Sequence, residues 1–268
     1  DHGHTTSAST ADKPAEQVTA ENVVELTEST AYQRFPTDQA ARKRYLQDIA
    51  GEVVSKLTTS TGSPRALLEA LGKAVGQGRI AVWSAVPGEQ QLLEETPLAH
   101  AVPDDPAPYA GVVINNLGGN KMDYYLEREI EYVADGCVGD TRNSTITIRL
   151  KNAAPQESLP DYVAGSGGLN EALPIELQSG SMATSVRLLA TTGAKLESAL
   201  SNGERVQVFT GTELGHPTFE VQVVIPPGKS GELSFRLTEP TAAGAARVPV
   251  QPLVDEVVPT VSVPECSQ

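Results

Sequence analysis

The hydrophobic period of this chain changes once along its length, and the change sets what it can fold into. Up to about residue 75 apolar side chains recur every three or four positions; beyond residue 110 they recur every second position. The first period selects helices with one buried face, and the second selects strands with one buried face. Between them lies a proline-dense stretch (Pro97, Pro103, Pro106, Pro108) with acids interspersed, which reads as a linker or domain boundary. The expected class is therefore α+β. A tail over 1–16 leads into a helical segment over 17–103, and an antiparallel sandwich of the immunoglobulin-like kind follows over 104–268.

Within the helical segment, Thr19 is the expected N-cap of a first helix. Glu21 lies in its first turn, and Val23, Val24, Leu26 and Thr27 form a stripe that ends near Tyr32. After Pro36, Thr37-Asp38 opens a second helix in which Tyr45, Ile49, Val53 and Leu57 form one buried face. Ser63-Pro64 starts a third, with Leu67, Leu68, Leu71 and Val75, and Gly76 and Gly78 stop it. The short apolar run over 80–83 is an expected strand.

In the second part Tyr124, Leu126, Ile130 and Tyr132 alternate with Tyr125, Glu127, Glu129 and Glu131, and Ile146, Ile148 and Leu150 with Thr145, Thr147 and Arg149. The same alternation recurs for Phe219, Val221, Val223 and Ile225 and for Leu233, Phe235 and Leu237, with the Pro226-Pro227-Gly228 turn between those two strands. Adding 110–115, 185–190 and 205–209 gives about seven short strands, the count of an immunoglobulin-like sandwich.

Composition narrows the function classes. With 268 residues, roughly two domains' worth, and 39% hydrophobic content, the chain has material for a packed core. A net charge of −14 repels a phosphate backbone and argues against nucleic-acid binding. No apolar run reaches the roughly 20 residues of a membrane helix. The opening residue is Asp1, which reads as a processed or trimmed start. The tail is rich in Thr, Ser and Ala, and its His2 and His4 lack the third ligand that a metal site needs.

The two cysteines, Cys137 and Cys266, have neither zinc nor redox-dithiol spacing. A thiol three residues from the end of a tail would be exposed and reactive, which favours a Cys137–Cys266 disulfide over two unrelated buried thiols, and with it an oxidising compartment. Closing so long a loop stabilises by about 4–5 kcal/mol in the chain-entropy picture.

Several stretches carry a family likeness. Residues 112–126 (Val-Val-Ile-Asn-Asn-Leu-Gly-Gly-Asn-Lys-Met-Asp-Tyr-Tyr-Leu), Leu150-Lys-Asn-Ala-Ala-Pro155, Leu159-Pro-Asp-Tyr-Val163, Gln251-Pro-Leu-Val254 and the terminal cysteine resemble the C-terminal part of the actinobacterial domain-of-unknown-function 4012 family. That resemblance implies an extracytoplasmic protein held by a membrane anchor upstream of this chain, and it implies no activity. Ala31-Tyr-Gln-Arg-Phe-Pro-Thr-Asp38 with Arg42-Lys-Arg-Tyr-Leu46 resembles a stretch of LytR-CpsA-Psr proteins, which transfer glycopolymers from polyprenyl-pyrophosphate carriers to the cell wall. Carried over, Arg34, Asp38, Arg42 and Arg44 fall on the pyrophosphate-binding stretch, and the helical segment becomes part of a LytR-like α/β domain.

Arg34, Arg42 and Arg44 form a basic island in an acidic chain; guanidinium forks match phosphate oxygens, and against this stands a solvated basic helix face. Asn120, Lys121 and Asp123 lie on a loop between strands, as a recognition element or, favoured here, as turn chemistry around Gly118-Gly119. Glu127, Glu129 and Glu131 are spread along a strand rather than convergent, and His100 and His216 have no nucleophile at a recognisable spacing. No catalytic residue, metal site or cofactor is assigned. The expected function is an extracytoplasmic cell-envelope module that binds or scaffolds at the bacterial surface, its partner a cell-surface protein or glycan. The alternative is a LytR-CpsA-Psr-like protein that binds a polyprenyl-phosphate lipid carrier.

Overall fold

The computed structural model describes residues 7–8, 16–59, 63–155, 159–172 and 176–266. Two-residue strands β1 (Ser7–Ala8) and β2 (Glu16–Gln17) pair antiparallel, and the rest of the expected tail, His2 and His4 included, lies outside the described residues. The first helix begins at Val23 rather than beside Thr19: α1 (Val23–Glu25) passes through a π-helical stretch (Leu26–Thr30) into α2 (Ala31–Arg34). The backbone N–H of Thr19 donates to Asn22 Oδ1 at 2.8 Å, which places the entry turn after Thr19 and Asn22 in the cap position.

Next come α3 (Gln39–Thr59), α4 (Pro64–Gly76) and α5 (Pro87–Glu94), the last with its own proline in the first turn. α3 is capped by Asp38, whose Oδ1 accepts the N–H of Ala41 at 2.9 Å. α4 ends at Gly76, and Gly78 closes its C-terminus, as both glycines led us to expect. There the N–H of Gly78 reaches Val75 O and that of Arg79 reaches Ala74 O, both at 2.9 Å, a closure that needs the left-handed φ of +74° at Gly78.

Two expectations fail in this part. Residues 80–83 form no strand: Val82 donates one bond to Leu98 O, and the facing Pro97–Ala99 is a 3-10 turn whose first residue has no N–H, so no ladder extends. The α3 stripe is covered over its first half only. Tyr45 and Ile49 are buried with Leu26, Tyr32, Phe35 and Val163, whereas Val53 and Leu57 stand 43% and 51% exposed beyond the end of that cluster. No residue of α4 is buried.

The alternating segments give β3 (Ala110–Asn116), β4 (Leu126–Ala134) and β5 (Thr141–Asn152), then the short helices α6 (Asp161–Ala164) and α7 (Leu169–Ala172). β6 (Met182–Ala190), β7 (Lys195–Ser201), β8 (Glu204–Arg205), β9 (Phe209–Glu213), β10 (His216–Ile225), β11 (Ser230–Pro240) and β12 (Thr260–Ser262) complete them. They form two sheets, β3-β6-β10-β9 and β12-β4-β5-β11-β7-β8, antiparallel except for the parallel β12–β4 pair. The inward faces meet in one core: Val112, Val186, Leu188, Phe219 and Val221 from the first sheet and Ile146, Ile148, Leu150, Phe235 and Leu237 from the second.

The α+β class and the two-sheet sandwich thus stand. The strand order differs from an immunoglobulin domain, which pairs its first two strands; here β3 pairs β6 while β4 pairs β5. The expected strand over 205–209 is the crossing between sheets: β8 ends on the second, β9 begins on the first, and Val206 and Val208 pack on the core between them.

The C-terminal segment straps one edge of each sheet, which would otherwise offer open backbone. It lies along β3 through Arg247 and Val250, then along β4 through β12, and ends in the Cys137–Cys266 disulfide, as the sequence led us to expect. The side-chain amide of Gln251 acts as a piece of strand. Its Oε1 accepts from Ile114 N at 2.8 Å and its Nε2 donates to Ile114 O at 3.1 Å.

Phe235→Ala is expected to lower the unfolding free energy by about 3–5 kcal/mol in urea titrations, whereas Leu68→Ala on the exposed face of α4 changes it by less than about 0.5 kcal/mol. Equal effects would mean that α4 is packed as tightly as the sandwich.

Candidate functional site

The basic island does not converge. Arg42 and Arg44 are two positions apart on α3, hence about 200° apart around its axis. Arg44 is exposed. Arg42 is buried: its Nη1 donates to Phe35 O at 2.9 Å, and its guanidinium carbon lies 3.9 Å from the ring centre of Tyr162 and 5.1 Å from that of Tyr32. Arg34 lies over the Tyr45 ring at 5.3 Å, and the Asp38 carboxylate is taken up in capping α3. Arg42 and Arg44 thus point into different surroundings, one buried among rings and one exposed.

The loop after β3 is knitted by its own asparagines. Asn116 Nδ2 donates to Asn120 Oδ1 at 2.9 Å, Asn116 Oδ1 accepts from Gly118 N, and Asn120 Oδ1 accepts from Met122 N. Asn120 Nδ2 then reaches Gly165 O at 2.8 Å, and the backbone N–H of Lys121 reaches Val163 O at 3.0 Å, fastening this loop to α6. The turn-chemistry reading accounts for each asparagine.

The fold does bring two separately predicted stretches together. The ammonium of Lys121 stands 5.1 Å from the ring centre of Tyr32, the ring that Arg42 also faces, and Tyr162 stacks on Tyr32 at 5.7 Å. Sequence reasoning noted Arg42, Lys121 and the stretches holding Tyr32 and Tyr162 separately but missed this cation–aromatic cluster, because its members lie up to 130 positions apart. Beside it, burial raises the Asp123 carboxyl above its ordinary range, opposed by a hydrogen bond from Asn116 and by the charges of Lys121 and Arg128.

The remaining candidates resolve as structure. Glu129, Glu131 and Glu232 surround Arg149, and Glu127 pairs with Lys151 at 2.8 Å, so the acidic face is a set of exposed ion pairs. His216 is buried with its two ring nitrogens 2.7 Å from Ala190 O and Pro103 O, pinning the proline-rich connection to the sandwich. His100 packs on the bare Cα of Gly78 at the rim of a groove of ≈570 Å³, with Arg79, Gln251, Asp255 and Glu256 on its walls. Among the described residues no three His, Cys, Asp or Glu side chains group as a metal site would require, and no helix is long and apolar enough to cross a membrane.

No family model matches the chain, and no curated protein matches it. Among solved structures it is similar to an arginine-bound mutant of a two-domain M1 zinc metallopeptidase, at 12% identity and a TM-score of 0.23. The match covers 47% of this chain and 23% of that one, so the chain spans less than a quarter of that structure's length.

Two outcomes are expected here. Arg42→Ala lowers the unfolding free energy by about 1–3 kcal/mol through loss of the ring contacts and the Phe35 bond, while Arg44→Ala changes it by less than about 0.5 kcal/mol. Asp123 has a folded pKa above its unfolded value, so its stabilising effect is complete at acid pH and is lost as pH rises through the folded value. The melting temperature of Asp123→Asn relative to the parent therefore improves between about pH 3 and pH 7. A difference that stays flat with pH would show that burial does not disfavour the carboxylate.

Proposed function

We propose that this chain is an extracytoplasmic module of the bacterial cell envelope that binds or scaffolds at the surface, held near the membrane by an anchor upstream. The placement of Arg42 and Arg44 supports the reading: a pyrophosphate held by the guanidinium forks of this island needs them around one cavity, and here Arg42 is buried under tyrosines while Arg44 faces solvent. The disulfide and the lack of a membrane-crossing helix among the described residues are compatible with an extracytoplasmic domain. The large apolar side chains that this chain leaves uncovered in its helical part (Leu57, Leu68, Trp83) are where a partner gains most by docking.

The test is a pair of titrations of the intact chain. A short-chain polyprenyl pyrophosphate is expected to leave the melting temperature unchanged, and purified bacterial cell walls are expected to retain the protein in sedimentation. A ligand-dependent rise in melting temperature that Arg44→Ala abolishes would replace this reading with the lipid-carrier one; saturation at about 100 times Kd would stabilise by about 2.7 kcal/mol.

A further inference from the structure

The two cysteines of the Cys137–Cys266 bridge differ in exposure, although both sulfurs lie near Pro264 O, at 3.8 and 4.0 Å. Cys137 is exposed, in the 135–140 loop between β4 and β5, next to Val138 at 86% exposure. Cys266 is buried, and Arg142 Nη1 stands 3.7 Å from its Sγ. The same guanidinium donates through Nε to Glu239 and through Nη1 to Pro264 O, while its Nη2 is buried and has no partner. Glu239 offsets part of the charge, but its carboxylate is also bound by Tyr132 and Thr191. A buried guanidinium whose Nη1 stands 3.7 Å from a sulfur favours a thiolate there.

We propose that this disulfide is a directional thiol–disulfide exchange site for a dithiol reductant, with Cys137 as the attacked sulfur and Cys266 as the leaving thiolate. A thiolate of the reductant attacks Cys137 Sγ along the exposed side. The bond between the two protein sulfurs breaks, and its electron pair leaves on Cys266, next to Arg142. The reductant's second thiolate then attacks its own sulfur in the mixed disulfide, closing the reductant's disulfide and releasing Cys137. The dithiol is oxidised by two electrons, the protein bridge is reduced by two, and the two protons of the dithiol end on the cysteines or in solvent. Exchange is faster when the leaving thiol is the more acidic of the pair and the attacked sulfur is accessible, and both conditions select the same direction.

The product differs in shape. β12 is three exposed residues pairing parallel with β4, and the bridge lies four residues beyond its end. Reduction unlatches that end of the strap and frees the outer edge of β4 around Tyr132. The proposal is independent of the envelope reading, since it requires only that a dithiol reach the 135–140 loop.

The experiment uses the intact oxidised chain. Glutathione is added under native conditions, the mixture is quenched with an alkylating agent, and the adducts are mapped by mass spectrometry; a parallel sample reacts in guanidinium. Expected is glutathione on Cys137 and alkyl on Cys266, in an excess of about tenfold or more that disappears in denaturant, since leaving-group acidity and access act only in the folded protein. Dithiothreitol is then expected to remove hydrogen-exchange protection at β12 and the β4 edge while the β5–β11 pair stays protected. Glutathione shared equally between the cysteines or found on Cys266, no reaction short of global unfolding, or an unchanged β12 after reduction would each overturn the proposal.

Discussion

The sandwich is arranged around the buried Arg142–Glu239 ion pair. Both side chains are fully buried, and removing two charges from water costs several kcal/mol per ion unless the remaining donors and acceptors are satisfied. Glu239 meets that condition: Arg142 Nε donates at 2.9 Å, Tyr132 Oη lies at 2.7 and 2.8 Å, and Thr191 Oγ1 donates at 3.1 Å. The hydroxyl of Thr191 in turn accepts the N–H of Tyr109, just before β3. One carboxylate therefore joins β4, β5 and β11 of one sheet to the β6 turn and the start of β3 in the other. It also fixes register. Glu239 and Arg142 are direct partners in the eleven-residue β5–β11 ladder, and a one-residue slip would send one of them to solvent and leave the other buried alone. Burial, reinforced by Glu239, holds the Tyr132 phenol far above its ordinary range, so it remains a donor to the pair at neutral pH.

That arrangement also explains what the sequence could and could not show. The parity of β4 and β5 was legible, because Leu126, Ile130 and Tyr132, and Ile146, Ile148 and Leu150, are apolar at every second position. The same parity continues through Arg128, Arg142 and Ser144, which are buried too, but a charged residue on an inward face is invisible to a hydrophobic pattern. Arg128 holds Asp255 of the strap, and Arg142 holds Glu239 and Pro264 O; the partners lie about 100 or more positions away, beyond any local signal. The strand over 80–83 was misplaced for the opposite reason. An apolar run reports burial or its lack, and a strand needs a partner with free N–H and C=O groups, which the Pro97–Ala99 turn does not supply.

The helical layer makes a related point about stripes. An amphipathic stripe states that one face of a helix is apolar; the rest of the chain decides whether it is covered. α3 is 21 residues long, about 32 Å, and the cluster from Leu26 to Val163 covers only its first half. Beyond Ile49 the stripe continues into solvent through Val53 and Leu57, and α4 repeats it with Leu68 and Leu71. Helices of this kind draw most of their stability from packing rather than propensity, so this layer opens more easily than the sandwich behind it.

Several side-chain amides close junctions of the fold. Asn116 and Asn120 fasten the β3–β4 connection to α6, whose Val163 and preceding Leu159 cover the helical cluster. Asn152 is fully buried; its amide donates to Gly180 O and Ile225 O and accepts from Ala154 N, tying the end of β5 to the turn before β6 and to the end of β10. Gln251 completes the edge of β3. Each of these amides satisfies backbone groups that strands leave open where they end, and a ligand could use them only by breaking those bonds. The chemistry available to a partner lies in what the scaffold has not consumed: the uncovered face of α3 and α4, the groove beside His100, and the exposed Cys137 end of the disulfide.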